Sequence, residues 1–413
     1  MVFKVDVPAG LIDGGGVDEG YGPVADAFRR NFTERGELGA ACAVYRDGRP
    51  VVDLWGGYRD GYRRLPWERD TMVPVFSTTK GVASLAIAVA RSRGLLDYDA
   101  TVASYWPEFA AAGKAEVTVR QLLSHQAGLA VIDKPLDLPI LADLDALAVV
   151  LAEQAPAWEP GTRHGYHGIS LGWYEGELLR RVDPAGRSLG RFFAEEIAKP
   201  LGLDFHIGLP DTVDLGRLAF VHAYRKWELP LHLHQMPPQT VAGFLNPRSP
   251  TSRAFANPKV LLDLSGYNRI DVLRLELPAA NGTGEPRAVA KAYGAVATGG
   301  AELGITRQTL EALEQPARPP SGGLRDVVMR IDSQFSLGYV KPFPKFRFGT
   351  AAGRAYGTPG GGGSFGFADP DAGIGFAYAP NRTGFRLFDD AREVALRDAL
   401  FRTVLGEMPQ RPD

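Results

Sequence analysis

Ser77-Thr78-Thr79-Lys80 is the only S-x-x-K stretch in the chain, and its reading sets the rest. Residues three apart in a helix share a face, so the Lys80 amine would stand within hydrogen-bond reach of the Ser77 hydroxyl. A serine hydroxyl ionises far above neutral pH and needs an adjacent base before it can attack a carbonyl. A lysine desolvated in a cleft has its pKa lowered by several units into that role. Val82, Leu85, Ala86, Ile87, Val89 and Ala90 follow, apolar almost all round, and Gly94 stands as a stop. The pattern predicts a helix buried at the domain centre, with Lys80 cut off from water. The competing reading is a chance S-x-x-K at a solvated helix end, because so short a motif recurs by accident.

Two further segments weigh against chance. Pro160-Gly161-Thr162-Arg163-His164-Gly165-Tyr166-His167 breaks the chain and presents a tyrosine just before an apolar helical run through Ile169, Leu171, Trp173, Leu178 and Leu179. Tyr356-Gly357-Thr358-Pro359-Gly360-Gly361-Gly362-Gly363-Ser364-Phe365-Gly366-Phe367-Ala368-Asp369-Pro370 is dense in glycine and bordered by strand signals, so its backbone can approach a substrate closely. In this order the three elements resemble the active site of the serine β-lactamase-like superfamily, in its class C β-lactamase and family VIII carboxylesterase branch. The resemblance extends further. Ala40 to Val44, the turn Arg46-Asp47-Gly48 and Val51 to Leu54 are similar to the family's opening hairpin, and Val117 to Leu129 and Pro278-Ala279-Ala280-Asn281-Gly282 to two of its signatures. An unrelated fold carrying all of these by chance is disfavoured, since element order and context agree as well as the letters.

The resemblance implies an α/β (α+β) β-lactamase-like fold, a central antiparallel sheet flanked by helices with an inserted, mainly helical domain. Residues 1–102 and 278–413 would form the discontinuous α/β domain that carries the nucleophile and the glycine-rich strand. Residues 103–277 would form the insertion, with Tyr166 and a lid-like loop. It also implies catalytic Ser77, Lys80 and Tyr166, an oxyanion hole from the N–H groups of Ser77 and Gly361, and substrate contacts from His167, Thr358, Gly360, Gly362 and Asn281. Pro359 has no N–H and cannot serve in the oxyanion hole. Ser77 would attack an ester carbonyl with Lys80 and Tyr166 as a coupled base whose shared proton belongs to the pair. Water would then release the acyl group.

Two departures narrow the substrate. Where many relatives carry Lys-Thr-Gly or His-x-Gly, this chain has Thr358-Pro359-Gly360, so a substrate carboxylate loses its charge-assisted partner. The Y-x-N element reads Tyr166-His167-Gly168, without the asparagine that resembles a substrate-amide contact. Both favour small neutral carboxylic esters over β-lactams. Arg163 and Arg354 are the cations that could compensate. β-Lactam hydrolysis, D-amino-acid peptide hydrolysis and acyl transfer on the same fold remain alternatives, as does a non-catalytic binding or scaffold protein.

Gly362-Gly363-Ser364-Phe365-Gly366 matches G-x-S-x-G, but a nucleophile elbow needs a helix after the serine and a histidine later in the chain. Phe365 to Phe367, the turn at Asp369-Pro370-Asp371-Ala372-Gly373 and Ile374 to Ala379 read instead as a hairpin, and the last histidine is His234. Ser364 therefore reads as a strand or turn residue near the site. His222, His232 and His234 lack a completing Asp, Glu or Cys, so they read as loop or pocket-wall residues with no metal. His164 and His167 flank Tyr166 and shape the pocket, with His125 a structural hydrogen-bonding residue beneath it.

The 413 residues are 45% hydrophobic and 23% charged, with a net charge of -2. That allows a large core in about two domains and gives no footprint for nucleic acid or an anionic membrane. No cofactor is implied, and the partner expected is a small-molecule ester or lactam. The single Cys42 excludes an intrachain disulfide. Met1 to Gly16 lack a basic n-region and an apolar core, which makes a cytoplasmic location the expectation. The stretch from Trp227 to Pro258 reads as long and irregular. Its Trp227, Leu229, Leu231, Met236, Phe244, Leu245 and Phe255 are too apolar for disorder, so it is expected to form a lid or wall over the cleft.

Overall fold

The small apolar run Ala40 to Val44 alternates between two faces, and all five residues are buried. Such a strand needs cover on both sides. The computed structural model, which describes residues 6–224 and 226–407, supplies both. Met1 to Val5 and the side chain of Leu229 lie outside the described residues.

Among the described residues ten strands form two sheets: β1 (Gly14–Val17), β2 (Gly39–Arg46), β3 (Arg49–Asp60), β4 (Leu65–Pro66), β5 (Val73–Pro74), β6 (Phe205–His206), β7 (Thr283–Gly284), β8 (Tyr356–Pro359), β9 (Phe365–Asp369) and β10 (Ile374–Pro380). The main sheet is antiparallel in the order β1-β3-β2-β10-β9-β8, with β4 attached to β3. Cys42 pairs with Leu54 on one side and Tyr378 on the other, which fixes β2 as a central strand. Ala40, Cys42 and Val44 point toward Val24 and Phe28 of the helix Gly22–Glu34 and Leu396 of the C-terminal helix Ala391–Asp398. Ala41 and Ala43 belong to the opposite core, with Val289 and Tyr293 of the helix Pro286–Ala297.

The helix that Ser77 caps, Thr78–Ser92, lies in that second core, and every residue from Thr78 to Ala90 is buried. A helix apolar all round has to be enclosed. The helices Leu144–Glu153, Ser170–Val182 and Leu189–Phe193 enclose it and share one continuous apolar core with it. Its C-terminal stop is as read: Gly94 takes a positive φ of 74° and the Leu95 N–H closes back on the Ala90 carbonyl. The smaller sheet, β5-β7-β6, ties the strand entering Ser77 to residues 283–284 and 205–206.

One expectation needs correction. The stretch from Trp227 to Pro258 is not irregular but a chain of short helices, including Pro238–Leu245 and Pro250–Arg253. Proline punctuates it because proline suits the first helical turn, where its missing N–H costs nothing. The C-terminal helix begins at Ala391 and widens after Asp398 into a π-helical turn, Ala399–Val404. No helix among the described residues is long and apolar enough to cross a membrane.

Candidate active site

The chain enters Ser77 through a backbone that few side chains tolerate. Phe76 has a φ of 50°, in the left-handed region. Its ring is held edge-on against Tyr267, 5.0 Å away, and its carbonyl accepts the N–H of Thr79 at 2.9 Å. Strain of this kind persists only where the surroundings over-determine it, and here it turns Ser77 out at the helix N-cap.

Lys80 is fully buried yet fully bonded. Its Nζ donates to the carbonyls of Gly168 at 2.6 Å and Ala279 at 2.9 Å, and lies 3.0 Å from Ser77 Oγ. Burial pushes its pKa down to about 7, against a weaker opposing pull from Glu175. A neutral Lys80 needs only two acceptors for its N–H groups, and the two carbonyls are those acceptors. Its lone pair is then free to face Ser77, whose hydroxyl can reverse and donate. No polar group is orphaned by the change.

The Tyr166 ring lies beside that amine, 4.8 Å from Nζ to the ring centroid, with its hydroxyl hydrogen-bonded to Ser77. Burial holds the phenol above its ordinary value, so Tyr166 keeps its proton through the range near pH 7 in which Lys80 loses its own. Asp326 places the tyrosine backbone: its carboxylate accepts N–H groups from Tyr166 at 2.9 Å, Val328 at 2.8 Å and Met329 at 2.7 Å. The ring stacks on Phe335 at 6.2 Å and faces Phe255 of the 227–258 wall at 6.2 Å.

Opposite, Gly360 presses against the turn into Ser77. A Cβ there would sit 2.2 Å from Ser364 Oγ and 2.4 Å from the Val75 carbonyl, so no side chain fits. The next residue, Gly361, is partly exposed beside Phe76 and Leu264. Among the described residues neither the Ser77 N–H nor the Gly361 N–H has an acceptor. Both groups belong to the backbone around the Phe76–Ser77 turn, with Gly361 packed beside Phe76.

The five residues expected at the substrate, His167, Asn281, Thr358, Gly360 and Gly362, are all buried. His167 is fully buried: its Nε2 accepts the Leu129 N–H at 3.2 Å, and its Nδ1 meets His125 Nδ1 at 3.1 Å and the Gly165 carbonyl at 2.9 Å. This network assigns the Nδ1–H form to His167, and burial holds both rings neutral, His167 down to about 3. Asn281 is buried, and its amide braces its own loop through the Val272 and Leu275 carbonyls and the Leu277 N–H. Thr358 is buried with its hydroxyl toward Tyr293 over Gly81. Gly360 packs on the turn into Ser77, as above, and the Gly362 carbonyl is held by Arg392 at 3.1 Å.

Ser364 precedes the β9–β10 hairpin, buried, with its hydroxyl donated to the Val75 carbonyl at 2.7 Å and accepting from Thr78 at 3.2 Å. It braces the turn into Ser77. Arg354 is paired with Glu314 and Asp371, and Arg163 is exposed on its loop. His222 accepts the Gly61 N–H at 3.0 Å, and His232 stacks on Phe385. Sequence reasoning missed the Phe76 strain, the His125–His167 pair and the Asp326 anchor. Only the isolated polar residues in apolar surroundings hinted at the last two.

Fold and site together define a serine hydrolase of the β-lactamase-like fold. The chain belongs to the Beta-lactamase family, whose profile matches residues 24–400. It is 34% identical over 377 residues to the Esterase/beta-lactamase LipL of Mycobacterium tuberculosis, covering 89% of this chain and 82% of that protein. Among solved structures, a family VIII carboxylesterase aligns with a TM-score of 0.81 at 37% identity, over 94% of this chain and 98% of that one. A penicillin-binding protein homologue from Caulobacter crescentus aligns with a TM-score of 0.79, also at 37% identity, over 94% and 99%.

Proposed function

We propose that the protein hydrolyses small neutral carboxylic esters through an acyl-enzyme on Ser77. The observation that carries this reading is the bonding of Lys80, a buried amine fixed by two carbonyls with its remaining position turned to Ser77 Oγ. Ser77 Oγ bonds to the ester carbonyl carbon while its proton passes to Lys80 Nζ. The carbonyl π pair moves onto oxygen, facing the N–H groups of Ser77 and Gly361. Each such donor is worth about 3 kcal/mol of barrier. As the tetrahedral intermediate collapses, the leaving alkoxide takes a proton from Tyr166, which Lys80 replenishes. Water attacks the acyl-enzyme by the same route in reverse and frees Ser77.

Neutral substrates are favoured by what surrounds the cleft. Thr358 stands where relatives carry a cation and is turned inward, and Phe255 and Leu264 supply apolar walls beside Tyr166 and Gly361. A substrate carboxylate would find no charge-assisted partner at Thr358. The test is kcat/KM for p-nitrophenyl butyrate against nitrocefin. A larger value for the ester is expected; a larger value for nitrocefin would move the assignment to a β-lactamase.

A further inference from the structure

The Gly361 N–H stands on a turn that is held from behind. Gly363 donates its N–H to the Gly360 carbonyl at 3.3 Å, and Gly362 between them has a φ of 81° and a ψ of 0°. Those angles belong to the third position of a type II turn, which favours glycine. A peptide unit is planar and trans, so its C=O and its N–H point in opposite directions. Whatever holds the Gly360 carbonyl therefore aims the Gly361 N–H. Whatever holds the Gly362 carbonyl aims the Gly363 N–H, which is the group that holds Gly360.

At the end of this relay is a buried guanidinium. Arg392, in the first turn of the helix Ala391–Asp398, is 5% exposed, and its Nη2 donates to the Gly362 carbonyl at 3.1 Å. The Gly384 N–H reaches the same carbonyl at 2.9 Å. Asp390 orients the guanidinium, accepting Nε at 2.8 Å and Nη2 at 3.0 Å. A bidentate pair of this kind fixes the plane of the fork as well as its place. On the other side Nη1 donates to the Glu37 carboxylate at 3.1 Å and to the Arg382 carbonyl at 2.8 Å. A buried ion pair is weak evidence for stability, since apolar residues of similar volume often serve a fold as well. What this one adds is a grip on the turn that carries Gly361.

We propose that Arg392, oriented by Asp390, is a positioning residue for the oxyanion: through the peptide units 362–363 and 360–361 it aims the Gly361 N–H at the oxygen that becomes charged when Ser77 adds to the ester. The inference rests on the Ser77 acyl-enzyme reading above. Arg392 exchanges no proton and meets no substrate atom. A hydrogen bond weakens steeply as its angle departs from linear. A turn released from Arg392 therefore binds the ester as before and stabilises its tetrahedral intermediate less.

The experiment compares two inhibitors of one shape. A trifluoromethyl propyl ketone is attacked at its carbonyl carbon by Ser77 Oγ, the Ser77 proton passing to Lys80 and the carbonyl π pair moving onto oxygen. The matching trifluoromethyl carbinol has no carbonyl to attack and binds without an oxyanion. In Arg392→Lys an ammonium stays near Glu37 and Asp390 but lacks the planar fork that also reaches Gly362. Its affinity for the ketone should fall about tenfold, part of the loss that removing a whole oxyanion donor causes, while its affinity for the carbinol stays at the parent value. For p-nitrophenyl butyrate kcat should fall by a similar factor with KM nearly unchanged. Glu37→Gln keeps an oxygen for Nη1 and should melt earlier than the parent with both affinities intact. Should Arg392→Lys not fold, Asp390→Asn, which loosens the Nη2 side of the fork, carries the test with a ketone loss of about threefold. Parent-like ketone affinity in Arg392→Lys, or in Asp390→Asn if that must stand alone, overturns the inference. So does an equal loss for ketone and carbinol, or a Glu37→Gln protein that loses as much ketone affinity as Arg392→Lys. A parent protein that forms no covalent adduct with the ketone, or a Ser77→Ala protein that binds it equally well, overturns the acyl-enzyme reading instead.

Discussion

Two lysines of this chain are equally hidden and differ in one atom's worth of environment. Lys80 and Lys114 are both fully buried, and each Nζ meets three oxygens. For Lys114 all three are backbone carbonyls, Ala111 at 2.8 Å, Ala152 at 2.8 Å and Gln154 at 2.7 Å. For Lys80 the third is the Ser77 hydroxyl. Burial pushes both amines down, to about 8 for Lys114 and about 7 for Lys80. A depressed pKa therefore does not single out the base. What does is the acceptor that can reverse: a hydroxyl gives its proton back to a neutral amine, while a carbonyl losing its donor is simply orphaned. Lys114 is a clamp between residues 111 and 152–154, and Lys80 is a clamp that can also take a proton.

The comparison is broken most sharply by truncating each lysine. Lys80→Ala should lower kcat for ester turnover by at least about 100-fold, the range for a positioned general base, and Tyr166→Phe should do the same. Their combined loss should fall well short of the product, because groups acting as one unit are not additive. Lys114→Met should leave kcat/KM per folded molecule near the parent value while lowering unfolding free energy by about 3 kcal/mol, the cost of stranding buried carbonyls. Denaturant melts together with active-site titration separate the two effects. An inactive but stable Lys114→Met protein would dissolve the distinction.

A pH profile sharpens it. Lys80 must be neutral to accept the Ser77 proton, and its folded pKa lies at about 7. Activity should therefore be lost as pH falls below that value and approach a plateau above it, with no decline from Tyr166 ionisation in the neutral range. A rate that climbs toward acid pH would contradict the assignment.

The smallest effect belongs to the second serine. Ser364→Ala removes a brace from Val75 and Thr78 but no reacting atom, so it should cost a few-fold in kcat and little else. A dead, folded Ser364→Ala protein would transfer the nucleophile to the glycine-rich strand.

These contrasts also mark what the sequence disclosed. Ser77 and Lys80 were legible because their relation is local: helical spacing alone brings them together, and the apolar run through Ala90 buries them. The β2–β3 and β9–β10 hairpins were legible for the same reason, each being set by a turn between short alternating strands. The buried hydrogen-bond partners of His167, Asn281 and Thr358 were not, since each depends on which way a side chain faces. Glu175 and Asp326 were hidden more deeply. Their partners, Ser84 and Tyr166, stand 91 and 160 residues away, and a lone carboxylate acquires meaning only from what the fold sets beside it. In Glu175 the only local sign was an acid in an otherwise apolar helix face.

The central claim, that Ser77 carries the acyl group with Lys80 as its base, is tested most directly by trapping the intermediate. The protein is mixed with p-nitrophenyl butyrate, quenched in acid during turnover and examined by intact-mass and peptide-mapping mass spectrometry. The account predicts one butyryl group on the peptide containing Ser77 in the parent, and none in Ser77→Ala or, on the same timescale, in Lys80→Ala. A butyryl group on Ser364, or turnover with no covalent adduct at any time, would contradict it.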